Sequence, residues 1–427
     1  MGRILKQYIQ TVTVVFFFIT QVNAQNDNYD SLIAEAGLFH LQKDYKNAIA
    51  SFEKAFKIKM PDALNSFKAA GAYSLDNNNE KAFKYLNLAL DNGWTEADWL
   101  AFDPYFDYLR KSKPEEWAKI ENKAYAKEQE FQKKIKFPEL RKQINLMTLN
   151  DQKLRYQRAQ TKNAEEIREL DQAINRSDSK NLEESKAIIA KYGWPKISEI
   201  GKDGQNNFWL IIQHADQDVR FQRQALTAME KLFKTNEISL EHYAFLYDRI
   251  QCNLNYKQLY GTQVVWTQNG KASGFRPILK EDTTDERRNK IGLQPLSVYS
   301  KTYGFAYRNK TKEEAKQIEK ADLVYTQKLI DSAKTAYDKK EFQKVYDYYN
   351  TASTVMGGMN EAQNYEAAVL FATIFNTNGE EQYRSISLDF LSLLHLRGTL
   401  PLKKLKRNPE FAKFRGDDRW IAILKNS

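Results

Sequence analysis

The chain has 427 residues, enough for about two to four domains, and a formal net charge of +10. Hydrophobic residues make up 42% of it and aromatic residues 13%, which excludes wholesale disorder. Its 17 glycines and 9 prolines are few for a turn-rich all-β protein, so they favour long helices. The single cysteine, Cys252, excludes an internal disulfide framework and a cysteine-based zinc site.

The first 24 residues have the organisation of a secretory signal peptide. Arg3 and Lys6 precede an apolar stretch from Val12 to Ile19, and small residues before a cleavage site follow it, ending at Ala24. The apolar stretch is shorter than the roughly 20 residues that span a membrane, and an uncleaved N-terminal anchor is the alternative. We therefore expect an exported protein, periplasmic or secreted, with no transmembrane span in the mature chain.

The basic net charge does not indicate a nucleic-acid-binding surface. Lysine and arginine alternate with aspartate and glutamate along most of the chain, and the one basic cluster, from Lys403 to Arg407, is typical of a solvated helix end. Export would also separate the protein from nucleic acid. We expect no nucleic-acid partner.

A 34-residue period runs through residues 29–92 and predicts paired helices. Small residues at such positions let two helices approach closely, and an aromatic residue fills the space between them. The recurring pairs are Gly37 and Gly71, Ala48 and Ala82, Phe52 and Leu86, and Ala55 and Ala89. This pattern resembles tetratricopeptide repeats, a resemblance that implies stacked helical pairs and a surface for a protein or peptide partner.

The C-terminal region repeats the N-terminal one. Each copy contains an Asp/Asn-Pro-x-Phe segment and ends with Trp-x-x-Ile, beginning at Trp117 and at Trp420. At a constant offset of 305 residues, the matching positions are Leu86 and Leu391, Leu100 and Leu405, Pro104 and Pro409, and Phe106 and Phe411. The ending resembles the segment that caps helical-repeat arrays in many exported bacterial proteins, in which proline starts a helix and apolar side chains close the exposed end.

Short polar motifs follow one another through the middle of the chain. In order they are Asp151-Gln152-Lys-Leu-Arg155, Asp178-Ser-Lys-Asn181, Gly193-Trp194-Pro195, Gln213-His214-Ala-Asp216, Asp248-Arg249, Gln258-Leu-Tyr260-Gly-Thr262-Gln263, Arg287-Arg288 and Gly292-Leu-Gln-Pro-Leu296. Together they resemble a bacterial domain family of unknown function over about residues 139–300. The resemblance implies no activity, and Ser185 departs from it because that position is usually apolar.

These patterns predict a mainly α fold in which helical-repeat, tetratricopeptide-like modules flank a mostly helical central domain with a small β-hairpin. The hairpin is expected around Asn269-Gly270, a sequence that favours a tight turn between strands. The predicted boundaries are a signal peptide at 1–24, an N-terminal module at 25–125, a central domain of unknown function at 126–305, and a C-terminal module at 306–427.

The central domain holds the candidate functional residues. His214 is the side chain best matched to proton transfer near neutral pH, and the helical pattern places it on one face with Asp218. Asp216, Asp248 and Arg249 are further candidate catalytic residues, supplying acids and a fixed cation. The candidate binding residues are Asp151, Gln152, Arg155, Gln213, Gln258, Tyr260, Thr262 and Gln263.

Two other interpretations of these residues stay open. They could form a buried hydrogen-bond network that stabilises packing, with Asp248 and Arg249 as a structural ion pair. They could also hold a metal through Asp216 or Asp218, but with only four histidines in the chain we expect no metal site. The residues do not identify a cofactor.

Two functions are consistent with the sequence. The first is an exported protein-interaction scaffold whose central domain carries a polar ligand-binding site of unknown specificity. The alternative is a hydrolytic enzyme in which His214 is the general base and the repeats dock a substrate or partner. Convergence of the polar residues on an accessible site would favour a ligand or a reaction, whereas sealing in a core would favour a structural role.

Overall fold

The computed structural model describes residues 27–425, and this part of the chain is mainly α-helical with one small β-hairpin, which confirms the predicted fold class. The predicted signal peptide lies outside the described residues, so its cleavage stays a prediction. Within the described residues, no helix is long and apolar enough to cross a membrane.

The N-terminal region consists of antiparallel helix pairs followed by shorter helices. Its elements are α1 (Asp27–Leu41), α2 (Tyr45–Ile58), α3 (Ala63–Leu75), α4 (Asn79–Asp91), α5 (Ala97–Phe102), a 3-10 turn (Pro104–Phe106), α6 (Asp107–Ser112) and α7 (Pro114–Gln132). Asp44 and Asn78 cap α2 and α4, each accepting a hydrogen bond from the backbone amide three residues later, Asn47 at 3.2 Å and Lys81 at 3.1 Å. Three of the four pairs that lie one 34-residue period apart are fully buried, as close helix packing requires: Ala48 and Ala82, Phe52 and Leu86, and Ala55 and Ala89. In the fourth pair Gly71 is buried and Gly37 is half-buried.

The C-terminal region has the same helix-turn-helix geometry. Its elements are α15 (Lys312–Asp338), α16 (Phe342–Thr354), α17 (Glu361–Asn378), α18 (Glu381–Arg397), α19 (Leu402–Arg407), a 3-10 segment (Pro409–Phe414) and α20 (Asp418–Lys425). The turns that precede α2, α4 and α16 each place a non-glycine residue in the left-handed conformation: Lys43, Asn77 and Lys340, with φ of 61°, 60° and 59°. The structure therefore has a helical-repeat-like architecture at both ends.

The two capping segments are equivalent in structure as well as in sequence. Asp103 and Asn408 each cap a 3-10 segment that begins with proline. The apolar positions at matching places are buried in both: Leu100 and Leu405, Phe106 and Phe411, Trp117 and Trp420, and Ile120 and Ile423. The apolar side chains close the end of each helical stack, as the sequence predicts.

The central region begins with a long helical hairpin, α8 (Pro138–Gln160) and α9 (Ala164–Tyr192). Three more helices, α10 (Ile197–His214), α11 (Val219–Glu230) and α12 (Leu240–Asn253), pack on it around a core that includes Phe208, Phe221 and Leu246. Strand β1 (Val264–Trp266) pairs antiparallel with β2 (Ala272–Phe275). The short helices α13 (Thr284–Lys290) and α14 (Leu296–Tyr299), flanked by 3-10 turns at 281–283 and 300–303, complete the region.

Both end regions pack against the central one through buried arginines. The Arg141 side chain is fully buried and donates hydrogen bonds to Glu128 Oε1 at 2.7 Å and to the Thr95 carbonyl at 2.7 Å, besides pairing with Asp203. Arg397 Nε donates to the Leu254 carbonyl at 2.9 Å. These contacts fix the repeat-like regions on either side of α8–α12.

Candidate functional site

The structure divides the predicted site residues, except Gln213, between two clusters. The first, here called the open cluster, contains Asp151, Gln152, Arg155, Asp178, His214, Asp216 and Arg249. The second, here called the sealed cluster, contains Asp248, Gln258, Tyr260, Thr262, Gln263 and Arg288.

Asp248 is the centre of the sealed cluster. Its side chain is completely buried and accepts hydrogen bonds from the amides of Leu259 at 2.7 Å, Tyr260 at 3.0 Å and Thr262 at 3.0 Å, and from Thr262 Oγ1 at 3.0 Å. Every one of these partners lies in the loop that joins α12 to β1. Asp248 therefore holds this loop, and it forms no ion pair with Arg249.

Gln258 plays a similar part in the same loop. It is completely buried, donates to the carbonyls of Gln263 at 2.9 Å and Arg276 at 2.7 Å, and accepts from the Gln263 amide at 2.8 Å. Arg288 donates to the Tyr260 carbonyl at 2.7 Å. The polar atoms of Gln258 and Thr262 are used inside the loop, so these residues position the hairpin.

Asp151 is the buried anchor of the open cluster. Its Oδ1 accepts from Arg155 Nε at 3.0 Å, its Oδ2 accepts from Gln152 Nε2 at 2.6 Å, and His214 Nδ1 lies 3.1 Å from the same Oδ2. Arg155 Nη2 also donates to Asp178 Oδ1 at 2.6 Å. The cluster thus joins α8, α9 and the end of α10.

Asp216 extends the open cluster toward α12. It accepts from Arg249 Nε at 2.8 Å, from Asn253 Nδ2 at 2.8 Å and from Gln222 Nε2 at 3.2 Å. The partner of Arg249 is therefore Asp216, and the Asp248–Arg249 ion pair of the alternative structural interpretation is not formed. Arg249 and Asn253 are four residues apart on one helix face, which lets both contact the same carboxylate.

Two predictions about α10 need correction or refinement. His214 is the last residue of α10 and Asp218 is the N-cap of α11, so the expectation that they share one helix face is wrong. Asp218 caps α11 through the Phe221 amide at 3.0 Å and pairs with Lys186 at 3.2 Å. Gln213 points into the core. With its side-chain amide oriented so that the oxygen faces the donor, Gln213 accepts a hydrogen bond from the Leu246 amide at 3.0 Å.

A glycine bends α10 on its way to the site. Gly201 has φ of +79° inside the helix, and a Cβ atom there would lie 2.8 Å from the Phe131 ring. Only glycine combines this conformation with so close a contact. The bend sets the direction of the segment that ends at His214.

Neighbouring groups in the open cluster favour the ionised forms of Asp151 and Asp216. Burial alone would raise the pKa of Asp151, but His214 and Arg155 outweigh it and hold that pKa well below its usual range. Burial likewise opposes ionisation of Asp216, and Arg249, Asn253 and Gln222 together lower its pKa. Both carboxylates are thus stabilised in the ionised form at neutral pH.

Three potential metal ligands occur in the open cluster. Ligand atoms of Asp151, Asp178 and His214 all lie within 4.8 Å of one another. However, the Arg155 guanidinium donates to both carboxylates, so a metal ion would have to displace it. We therefore assign the carboxylates to Arg155 and not to a metal.

Sequence reasoning missed part of the open cluster. Asp178 belongs to one of the polar motifs but is not a candidate site residue, and neither Gln222 nor Asn253 is a candidate. The spacing of Asn253 from Arg249 is a helical signal that could have identified it. No local sequence pattern identifies Gln222, because its contact with Asp216 depends on how α11 packs in the fold.

The comparisons with known proteins agree with the central position of these clusters. Residues 138–312 match the model of a family of unknown function, DUF6624. No curated protein and no solved structure matches the chain. The match begins at the first residue of α8 and contains both clusters. The predicted similarity of this region to an uncharacterised family is confirmed, whereas the tetratricopeptide resemblance stays a prediction.

Proposed function

We propose that the chain is an exported scaffold whose central domain binds a small polar ligand at the open cluster. The observation that carries this proposal is that its ionisable groups converge while their side chains stay partly exposed. The side chains of His214 and Arg155 keep 19% and 20% of their surface exposed beside Asp151, a carboxylate that is 1% exposed, and Arg249 keeps 24% beside Asp216. Perturbed, partly accessible groups of this kind are typical of functional sites.

The contrast with the sealed cluster favours a ligand over a purely structural network. Asp248 and Gln258 have no exposed surface, and their hydrogen bonds end inside the protein. A network needed only for packing is expected to look like this one. The open cluster instead keeps about a fifth of its His214, Arg155 and Arg249 side chains exposed, which packing alone does not require.

The scaffold part of the proposal is supported by the helical regions. Helix α15 exposes a group of apolar side chains, Ile318, Leu323, Val324 and Tyr325, each at least 42% exposed. Exposed apolar groups on helical-repeat surfaces are typical sites for a protein or peptide partner.

Export is supported by the sequence before Gln25, and N-terminal sequencing of protein from its native host is expected to begin at that residue.

A second candidate function, hydrolysis, is favoured by the Asp151–His214 pair. With His214 Nδ1 3.1 Å from the buried carboxylate, Nε2 remains for proton exchange with a ligand. A cysteine nucleophile is excluded, because burial raises the pKa of Cys252 to about 12 and keeps it a thiol. The nucleophile would then be water activated by His214.

A thermal-shift screen of sugars, amino acids, organic acids and phosphate esters tests the ligand proposal. At least one compound is expected to raise the melting temperature of the wild type and to lose this effect in His214→Ala, because a ligand that binds only the folded state stabilises it. Arg158→Gln is the control, since Arg158 lies one turn from Arg155 on α8 but pairs with Asp171 outside the cluster. Equal shifts in all three proteins, or none in the wild type, would contradict the proposal.

The same proteins separate binding from hydrolysis. Release of p-nitrophenol from p-nitrophenyl acetate and p-nitrophenyl phosphate is measured with wild type, His214→Ala and Arg158→Gln. A rate that depends on His214 and not on Arg158 would favour the enzyme. Ligand binding without such a rate would favour the scaffold.

A further inference from the structure

One half of the open cluster, on α8 and α9, has an excess of negative charge. It contains two carboxylates, Asp151 and Asp178, and a single guanidinium, Arg155, whose Nε donates to Asp151 Oδ1 at 3.0 Å and whose Nη2 donates to Asp178 Oδ1 at 2.6 Å. The other half adds nothing to this excess, because Asp216 and Arg249 form an ion pair. With its histidine neutral, the cluster has a formal charge of −1, which opposes an anionic ligand and favours a cationic one.

Asp178 is the carboxylate with the fewer partners. Both oxygens of Asp151 accept hydrogen bonds, Oδ1 from Arg155 and Oδ2 from Gln152, whereas Asp178 accepts through Oδ1 alone. Its Oδ2 accepts no hydrogen bond from the described residues, and 15% of the side chain is exposed. Burial raises the pKa of Asp178 although Arg155 opposes this effect, so a second cation beside Oδ2 would stabilise the ionised carboxylate.

Two neutral side chains beside Asp151 add unused acceptors. Gln152 is 2% exposed and its Nε2 donates to Asp151 Oδ2 at 2.6 Å, but its Oε1 is buried without a hydrogen-bond partner among the described residues. His214 Nδ1 lies 3.1 Å from the same Oδ2, and a ring nitrogen beside a carboxylate carries the hydrogen. In the neutral ring Nε2 is then an acceptor, so the unused groups of this half call for a hydrogen-bond donor.

The spacing of the three ionisable groups fits an ammonium group. An oxygen of Asp151, an oxygen of Asp178 and a ring nitrogen of His214 all lie within 4.8 Å of one another. An ammonium nitrogen that donates tetrahedral hydrogen bonds of about 2.9 Å holds its acceptors about 4.7 Å apart. A metal ion would need oxygens of both carboxylates and would displace Arg155, whereas an ammonium group can use Asp178 Oδ2 with Arg155 in place.

We propose that the ligand of the open cluster is a small primary amine whose ammonium group donates hydrogen bonds to Asp178 Oδ2 and His214 Nε2. The proposal rests on the proposed function of this site and adds the chemical class of its ligand. A neutral alcohol would supply the hydrogen bonds without the charge, and an anion would meet the excess of carboxylates. The site therefore selects an amine over either.

Titrations with matched two-carbon probes, followed by thermal shift, test this proposal. The probes are ethanolamine hydrochloride, ethylene glycol, sodium glycolate and sodium chloride at matched ionic strength, added to wild type, Asp178→Asn and Asp171→Asn. Asp171 is the control, since it lies two turns before Asp178 on α9 but pairs with Arg158 outside the cluster. We expect ethanolamine alone to give saturable stabilisation of wild type and Asp171→Asn, with an affinity at least about tenfold weaker in Asp178→Asn, as a lost charge-assisted hydrogen bond implies.

Sodium chloride acting as well as ethanolamine would show general screening and overturn the proposal, as would equal affinities in the three proteins. Ethylene glycol, glycolate or another compound that acts through His214 when ethanolamine does not would overturn it and leave the proposed function intact. No effect of any compound would overturn both. Saturation-transfer NMR of ethanolamine, recorded well below the melting temperature of each variant, measures binding even if Asp178→Asn lowers stability.

Discussion

The sealed and open clusters both use α12, and they show how differently neighbouring residues can be employed. Asp248 and Arg249 are adjacent in the chain, yet Asp248 holds the loop before β1 while Arg249 turns to Asp216. The sealed cluster surrounds a fully buried carboxylate with neutral donors, three of them backbone amides. The open cluster pairs charged groups with one another and keeps part of its arginine and histidine side chains exposed. Polar residues that are close together in the sequence can therefore belong to two different clusters, one structural and one proposed to be functional.

The largest effect is expected from Asp248→Ala, which removes the centre of the sealed cluster. Three backbone amides and the Thr262 hydroxyl lose their acceptor at a fully buried position. Each unsatisfied buried donor costs about 1–3 kcal/mol, and allowing for relaxation of the loop we expect a total loss of about 4 kcal/mol. Urea unfolding of the full chain measures it. A loss below about 1 kcal/mol would mean that the loop does not depend on this carboxylate.

Asp151→Asn is expected to have the next largest effect, and one that depends on pH. At pH 7 the loss should be about 2–3 kcal/mol, because charge-assisted hydrogen bonds to Arg155 and Gln152 are weakened. The folded protein lowers the pKa of Asp151, so its contribution is present above the ordinary aspartate pKa of about 3.9 and is lost as pH falls below it.

Unfolding of wild type and Asp151→Asn should therefore converge as the pH falls from neutral to acid. Asp91→Asn is the control, because its exposed ion pair with Lys123 is worth less than about 1 kcal/mol. A gap between wild type and Asp151→Asn that stays constant with pH would contradict the proposed charge of the open cluster.

The repeat positions and the hairpin could be predicted because both depend on local patterns. Ala48 and Ala82 recur at the helical-pair period, and Asn269-Gly270 marks the turn between β1 and β2. The partners of the site residues could not be predicted in the same way. Neighbours on a helix point about 100° apart, so which one reaches a given cluster depends on how α8, α10 and α12 pack. Hence the sequence alone could not show that Arg249 pairs with Asp216 and not with Asp248.

Ser185→Ala is expected to stabilise the protein by about 1 kcal/mol, in contrast to every change in the sealed cluster. Ser185 is completely buried on α9, and its hydroxyl has no hydrogen-bond partner among the described residues. Alanine removes the unsatisfied group and is the better helix former. Ser179→Ala is the control on the same helix, because that hydroxyl is exposed and bonded to the Asn175 carbonyl at 2.8 Å. A destabilised Ser185→Ala would indicate that a ligand or water uses the hydroxyl.

The smallest effect on stability is expected from His214→Ala, and this prediction separates the two clusters most directly. His214 keeps a fifth of its side chain exposed, and its Nδ1, although 3.1 Å from Asp151 Oδ2, makes no well-formed hydrogen bond. Asp151 retains Arg155 and Gln152 without it. We expect a loss below about 1 kcal/mol, because a partly exposed side chain without a well-formed hydrogen bond contributes little to stability.

Gln258→Ala provides the comparison for His214→Ala, since it removes a neutral side chain from the sealed cluster. Two carbonyls and one amide then lose their partner, and a loss of about 2–3 kcal/mol is expected. If the ligand site is the open cluster, His214→Ala loses the thermal shift while keeping its stability, and Gln258→Ala does the reverse. Equal destabilisation of both variants would show that the open cluster is as structural as the sealed one, and the scaffold would then have no central ligand site.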